Sequence, residues 1–186
     1  SDDLSTSTSP SDSAQIKLQG KTISFEGTGA TVDKGRVTIH SAGTYRISGT
    51  LDDGQIVVDS EDEETVVLVL DGAQIACSAS APIYVLQADK TVIRLADGSE
   101  NSVRDGSDYV YEDPDSDDPN GAIYRRDDLT INGGGSLTVY AQYRNGIVSK
   151  DDLKIVGGTI TVDAVNDGIK GRDSIAVKNG TIVVHA

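Results

Sequence analysis

The chain has 186 residues, with 30 Asp and Glu against 16 Lys and Arg, and a net charge of −14. This length suits one domain with a buried core, and the acidic balance argues against nucleic acid as a partner. No apolar run approaches the length of a transmembrane helix, so we expect none.

The charge is distributed unevenly along the chain. Residues 121–186 carry eight Lys and Arg against seven Asp, about +1, whereas the remainder carries eight against 23 acidic residues, about −15. Oxygen ligands in that number make a divalent cation a natural partner of the acidic part.

The N-terminal region combines a polar segment with short alternating segments. Residues 1–13, SDDLSTSTSPSDS, have the composition of a flexible tether, which leaves residues 14–186 as the folded domain. Glycine-separated alternation then predicts four short strands that form a first irregular turn or a cap: Ile16–Leu18, Thr22–Phe25, Ala30–Val32 and Val37–Ile39.

The central region contains one strand that is apolar on both faces. Thr65–Leu70 reads TVVLVL, so we expect it to be buried on both faces, with the N-terminal segment as a candidate cover. Ala81–Val85 and Thr91–Leu95 resemble the opening strands of a repeat. Residues 104–120, RDGSDYVYEDPDSDDPN, are an acidic insertion that is either a disordered loop or a functional one.

The C-terminal region repeats itself three times, in Asn120–Ala141, Asn145–Ala164 and Asp167–Ala186. The last two copies are offset by 22 residues, and a period of that size indicates a solenoid. Alternation predicts aliphatic inward columns, such as Ile123/Ile147/Ile169, Leu129/Leu153/Ile175, Ile131/Ile155/Val177, Leu137/Ile160/Ile182 and Val139/Val162/Val184. We therefore predict an all-β fold, a right-handed single-stranded parallel β-helix with about 22 residues per coil.

The last copy stops at Ala186, the position equivalent to Ala164. An uncapped coil presents a strand edge that can pair, so we expect further coils, self-association or another partner there.

Carboxylates recur at outward positions of the repeats. Asp127, Asp151 and Asp173 form one column, and Asp128, Asp152 and Ser174 form a second. Two interpretations remain open. In one, the neighbouring basic column of Arg126, Lys150 and Arg172 or the turn N–H groups neutralise these carboxylates; in the other, the carboxylates bind Ca²⁺. The candidate calcium ligands are Asp127, Asp128, Asp151, Asp152, Asp173, Asn145, Asn166 and Asp167.

Basic and aromatic side chains accompany the acidic columns. Tyrosine rings with polar tips suit sugar rings, and Tyr140 points outward in column with Asp163 and His185. The candidate carbohydrate-binding residues are Arg126, Lys150, Arg172, Tyr124, Tyr140 and Tyr143. An equally weighted alternative is that these tyrosines pack the insertion against the coil.

Several of these segments together resemble a known family. They are TVVLVLDG (65–72), APIYV (81–85), LADGSENSV (95–103), GAIYRRDDLTI (121–131), GIVSKDDLKIVGG (146–158) and Asn166–Gly168. In this order they are similar to the bacterial carbohydrate-binding domain family of right-handed parallel β-helix proteins, over about residues 40–186. The fold of that family is similar to that of pectate lyases.

The resemblance implies a non-catalytic protein that is secreted or attached to the bacterial cell surface, where the N-terminal tether could hold it. It implies binding of cellulose and of acidic polysaccharide such as polygalacturonate or pectin, with calcium bound along the helix. The Asp-Asp-Leu turns and the Asn-Gly and Asp-Gly corners are the calcium-bearing positions it implies.

Two other functions are kept as alternatives. One is a calcium-dependent polysaccharide lyase, with Lys150, Lys170 or Arg172 as the base that abstracts a proton. The other is a structural adhesin at the cell surface that binds protein partners. Catalysis has little further support, since the two histidines, His40 and His185, stand outside any recognisable catalytic motif.

Overall fold

The computed structural model describes residues 4–5 and 13–186, so nearly all of the predicted tether at 1–13 lies outside the described residues. The described part of the chain is all-β, and no helix in it is long and apolar enough to cross a membrane.

Two antiparallel hairpins precede the repeats. The strands β1 (Ala14–Gly20) and β2 (Thr22–Glu26) form the first hairpin, and β3 (Ala30–Asp33) and β4 (Arg36–Ile39) form the second. β1 also pairs in parallel with β5 (Gly43–Leu51). The four predicted N-terminal strands are therefore confirmed, and their antiparallel pairing separates them from the repeats that follow.

The remaining strands follow at short intervals. They are β6 (Gln55–Asp59), β7 (Thr65–Cys77), β8 (Ile83–Gln87), β9 (Lys90–Leu95), β10 (Glu100–Asp105), β11 (Gly121–Arg125), β12 (Leu129–Gly133), β13 (Ser136–Ala141), β14 (Asn145–Ser149), β15 (Asp152–Ile155), β16 (Thr159–Ala164), β17 (Ile169–Gly171), β18 (Ser174–Val177) and β19 (Thr181–His185). From β4 onward, every pairing along the two sheets is parallel.

The parallel strands form three stacks in two sheets. One sheet is the stack β4-β6-β8-β11-β14-β17, with β3 at its edge. The other is a curled twelve-stranded sheet, in which the first half of β7 pairs with β9 and the second half pairs with β10. Because β7 belongs to both halves, the sheet continues as two stacks, β9-β12-β15-β18 and β10-β13-β16-β19. From β8 onward, consecutive strands lie in different stacks.

The predicted inward columns are confirmed by the strand register. Ile123 lies opposite Ile147 and Ile147 opposite Ile169, and the Leu129, Ile131, Leu137 and Val139 columns align in the same way. In the first two copies these side chains are fully buried in one hydrophobic core. In the last copy Ile175 and Val177 are 47% and 54% exposed, since no strand covers them from the far side in the described structure.

The strand at the centre of the twelve-stranded sheet is buried on both faces, as its sequence predicts. Leu68 belongs to the main core, whereas Val67 and Val69 pack with Val92 in a separate outer cluster. On this outer side, Asn132 Nδ2 donates a hydrogen bond to the backbone oxygen of Ser5 at 2.9 Å. The described part of the N-terminal segment therefore contacts this sheet, and the rest of the expected cover lies outside the described residues.

The Leu129/Leu153/Ile175 column offers a matched test of stacking. Leu153→Ala should lower the free energy of unfolding by about 2–5 kcal/mol, because Leu153 is fully buried between Leu129 and Ile175 and its truncation leaves a cavity. Ile175→Ala should cost about 1 kcal/mol or less, because Ile175 is already half exposed. Urea denaturation checks both, and equal losses would contradict the stacked arrangement.

Candidate functional site

The acidic insertion is a loop held against the strands by aromatic and polar contacts. The ring of Tyr109 stacks on Tyr143, with centroids 4.2 Å apart, and the Tyr109 hydroxyl donates to Asp105 Oδ2 at 2.6 Å. The backbone N–H of Gln142 donates to the other Asp105 oxygen at 2.5 Å. Burial raises the pKa of Asp105, and these hydrogen bonds partly oppose that rise. Tyr109 and Tyr143 therefore pack the insertion against the strands, which is the alternative to sugar binding that the sequence left open.

The three tyrosines expected to contact sugar do not converge on one surface. Tyr124 is fully buried, in edge contact with Tyr84 at 5.7 Å, so its ring is not available to a ligand. This corrects the sequence-based expectation, and the reason is that neighbouring side chains and the insertion cover an outward-facing position. Tyr140 lies on the other sheet, where the Arg104 guanidinium sits 4.1 Å from its ring centroid.

The three basic residues do form a column. Each follows the end of a strand in the β11-β14-β17 stack, and the backbone N–H groups of Lys150 and Arg172 donate to Arg125 and Ser149 in the preceding copy, both at 3.1 Å. Lys150 Nζ lies 3.3 Å from Asp118 Oδ1 of the insertion, whereas Arg126 and Arg172 are exposed. The basic column (Arg126, Lys150, Arg172) therefore reaches both the insertion and open solvent.

A carboxylate cluster lies directly beside the basic column. Asp127, Asp128 and Asp151 each place one carboxylate oxygen within 4.8 Å of the others. Two oxygens already accept backbone hydrogen bonds, Asp127 Oδ1 from Asp128 at 2.8 Å and Asp128 Oδ1 from Asp152 at 2.9 Å. Capping of turn N–H groups is thus present at Asp127 and Asp128, through one oxygen of each carboxylate. A hard cation that prefers oxygen ligands fits this donor set.

The other predicted calcium ligands stand outside this cluster. Asp152 Oδ1 accepts from the Ser174 hydroxyl at 2.7 Å. Asn145 is buried, and its Oδ1 accepts from Asn166 Nδ2 at 2.9 Å and from the Asp167 backbone at 3.1 Å. Asn145, Asn166 and Asp167 therefore hold a corner between copies together. Asp173 continues the Asp151 column, since its N–H donates to the Asp151 carbonyl at 3.2 Å.

Sequence reasoning missed a buried cation next to the cluster. Arg125 is fully buried and donates to the hydroxyl of Thr91 and to the carbonyls of Ala88 and Asp89, both at 3.1 Å. Burial lowers the pKa of its guanidinium, and the carboxylates of Asp127 and Asp128 counteract that change. The repeat alignment contains a sign of this difference: before the acidic turn, the first copy has Arg125 where the later copies have Ser149 and Gly171.

Repulsion within the cluster is visible in one carboxyl group. Partial removal from water raises the pKa of Asp151, and the carboxylates of Asp127 and Asp173 raise it further. The folded state therefore binds a proton at Asp151 more readily than the unfolded state does. A cation placed in the cluster would relieve the same repulsion.

Comparisons with known proteins identify relatives of this chain. The sequence profile of the family described as "Carbohydrate-binding domain-containing protein" matches residues 33–186. A protein of that description from Acetivibrio thermocellus is 51% identical over 136 residues, which are 73% of this chain and 48% of the relative. The chain thus spans about half the length of that relative.

A solved structure shares the fold. It is titled as a polysaccharide lyase-like protein from C. thermocellum, in a gadolinium derivative, and it matches with a TM-score of 0.90 and 45% sequence identity. The match covers 92% of this chain and 70% of the other.

Asp151→Asn should stabilise the metal-free protein at neutral pH, because it removes one of the mutually repelling charges. Since the pKa of Asp151 is raised in the folded state, its penalty is absent at acidic pH and develops as the pH rises above about 4. Melting temperatures in chelator from pH 3.5 to 7 should therefore show a gain for the variant that grows with pH. Asp163→Asn, outside the cluster, is the control, and an equal gain in both variants would contradict the account.

Proposed function

Because the chain belongs to the family of carbohydrate-binding domain-containing proteins, we propose that it is a non-catalytic extracellular protein that binds plant cell-wall polysaccharide. The ligand is cellulose, acidic polygalacturonate or both, and calcium assists the binding. The observation that carries this proposal is the basic column beside the carboxylate cluster, at the strand ends of one sheet. We further propose that the three stacks form a right-handed single-stranded parallel β-helix with about 22 residues per coil.

The basic column supplies the attraction that an acidic glycan needs. The whole chain carries a charge of −14, so a uronate polymer is repelled by most of its surface. Arg126 and Arg172 are exposed, and a guanidinium pairs with a carboxylate through two parallel hydrogen bonds. An acidic polysaccharide lying along the stack therefore meets a cation at each copy.

In this proposal the carboxylate cluster is the calcium site. Asp127, Asp128 and Asp151 would hold the ion, each through one carboxylate oxygen. A bound Ca²⁺ would supply positive charge that screens the cluster and can be shared with a uronate carboxylate. Removal from water and repulsion by Asp127 and Asp173 both raise the pKa of Asp151, and a cation in the cluster would relieve that repulsion.

The lyase alternative is supported by the structural neighbour, which is described as polysaccharide lyase-like. Its base would be Lys150, Lys170 or Arg172. Lys150 Nζ and Lys170 Nζ each lie 3.3 Å from a carboxylate of this chain, of Asp118 and Asp167 respectively. Because both lysines are already held in ion pairs, these contacts favour binding over catalysis.

The setting of the protein forms part of the proposal. We propose secretion or attachment at the bacterial cell surface, with residues 1–13 as the tether, because their Ser, Thr and Asp content matches a linker. A structural adhesin remains the third candidate. Unlike the other two, it should be retained on neither pectin nor cellulose.

Glycan retention and product formation separate the three functions. The purified chain should be retained on pectin with calcium and released by chelator, and a cellulose column tests the neutral ligand. Incubation with polygalacturonate and calcium should give no steady rise in the ultraviolet absorbance of unsaturated product. Steady product formation would establish the lyase, whereas retention on neither glycan would favour the adhesin.

Arg172→Gln tests the basic column directly. Arg172 is exposed and makes no ion pair among the described residues, so the fold should tolerate the change. Loss of one charge-assisted contact should weaken retention on pectin severalfold, while Lys178→Gln, exposed and outside the column, should leave it unchanged.

A further inference from the structure

A groove of about 660 Å³ lies on the outer side of the stack β4-β6-β8, between the acidic insertion and the N-terminal hairpins. Its volume is within the range of about 300–1,000 Å³ that ligand sites occupy. It is separate from the carboxylate cluster, since none of Asp127, Asp128 and Asp151 lines it.

The floor of the groove is apolar and aromatic. Val57, Tyr84 and Leu86 line it from neighbouring strands and are half-buried. The ring of Tyr84 is held from behind by the edge contact with Tyr124. Beside it, the buried Gln55 side chain is fixed by a hydrogen bond from its Nε2 to the Ala81 carbonyl at 2.8 Å. A preformed floor of this kind suits the C–H face of a sugar ring.

The walls of the groove are polar and strongly acidic. The charged residues that line it are Asp33, Arg36, Asp53, Glu112, Asp113 and Asp118, five carboxylates against one guanidinium. Carboxylates accept hydrogen bonds from hydroxyl groups, so these walls suit a hydroxyl-rich ligand. The same charges repel a ligand that carries its own carboxylates.

A metal ion is a poorer fit to the groove than a sugar is. Among the described residues, the three carboxylates that lie close enough together to share an ion are those of the carboxylate cluster. Asp53 is already engaged, because its Oδ1 accepts from the backbone N–H of Ser78 at 2.8 Å and its carboxylate also accepts from the Ser78 hydroxyl. The two carboxylate oxygens of Asp53 are therefore held in place by Ser78.

We infer that this groove binds a neutral oligosaccharide, whereas an acidic glycan binds at the basic column. The inference rests on the proposed carbohydrate binding and deepens it, because it assigns the two glycan classes to two regions of one sheet. The supply of cations is the reason for the separation: the groove walls hold one guanidinium against five carboxylates, whereas the column offers three cations beside the cluster proposed to hold calcium. The two ligands should then bind at the same time.

Titration calorimetry on the full chain, with cellohexaose and with an oligogalacturonate plus calcium, tests this assignment. Tyr84→Ala removes the aromatic floor and should weaken cellohexaose binding about tenfold. Val57→Trp should fill the groove and abolish that binding even if Tyr84→Ala proves unstable. Val165→Trp, at a 68% exposed position outside the groove, is the matched control. Affinity for oligogalacturonate should stay within about twofold in Val57→Trp and Val165→Trp. Tyr84 also contacts Arg126 of the basic column, so Tyr84→Ala is compared for cellohexaose alone.

The outcomes are distinguishable. Unchanged cellohexaose affinity in both groove variants would overturn the groove assignment while leaving carbohydrate binding intact. Loss of both glycans in Val57→Trp, or competition between them in the unaltered protein, would show one shared site and overturn the separation. Binding of oligogalacturonate alone by the unaltered protein would also overturn the inference, whereas binding of neither glycan would refute the proposed function itself.

Discussion

Parallel stacking of short alternating strands is the constraint on which the rest of the molecule depends. Strands lie about 4.8 Å apart, so any residue placed outward in one copy meets its equivalent in the next at nearly that distance. For the inward Leu129, Leu153 and Ile175 column this repetition builds a continuous core. For carboxylates it builds repulsion, which the structure offsets with backbone donors and with the buried guanidinium of Arg125.

The same repetition determines which structural features can be predicted from the sequence. The strands and inward columns follow from alternation and from aligned glycine turns, because both are local and recur in each copy. The burial of Tyr124 does not follow, since it depends on how a loop and a neighbouring strand cover an outward position. The groove is equally hidden, because residues as distant as Asp33, Tyr84 and Asp113 meet only in the folded chain.

The proposed function depends on the uneven distribution of charged side chains over regularly stacked strands. The insertion brings carboxylates to a sheet whose later copies carry the basic column, and the contact between Asp118 and Lys150 is where the two regions meet. A net charge of −14 would suggest general repulsion of acidic polymers. We propose that the local arrangement instead gives acidic and neutral glycans different preferred surfaces.

The central claim is that polysaccharide contacts the outer side of the stack β4-β6-β8-β11-β14-β17. Mapping of amide chemical shifts by NMR, with an oligogalacturonate and calcium added to the isotope-labelled chain, tests it most directly. We expect shifts concentrated around Arg126, Lys150 and Arg172 and at the carboxylate cluster. Shifts concentrated instead on the twelve-stranded sheet, around Tyr140 and Asp163, would contradict it.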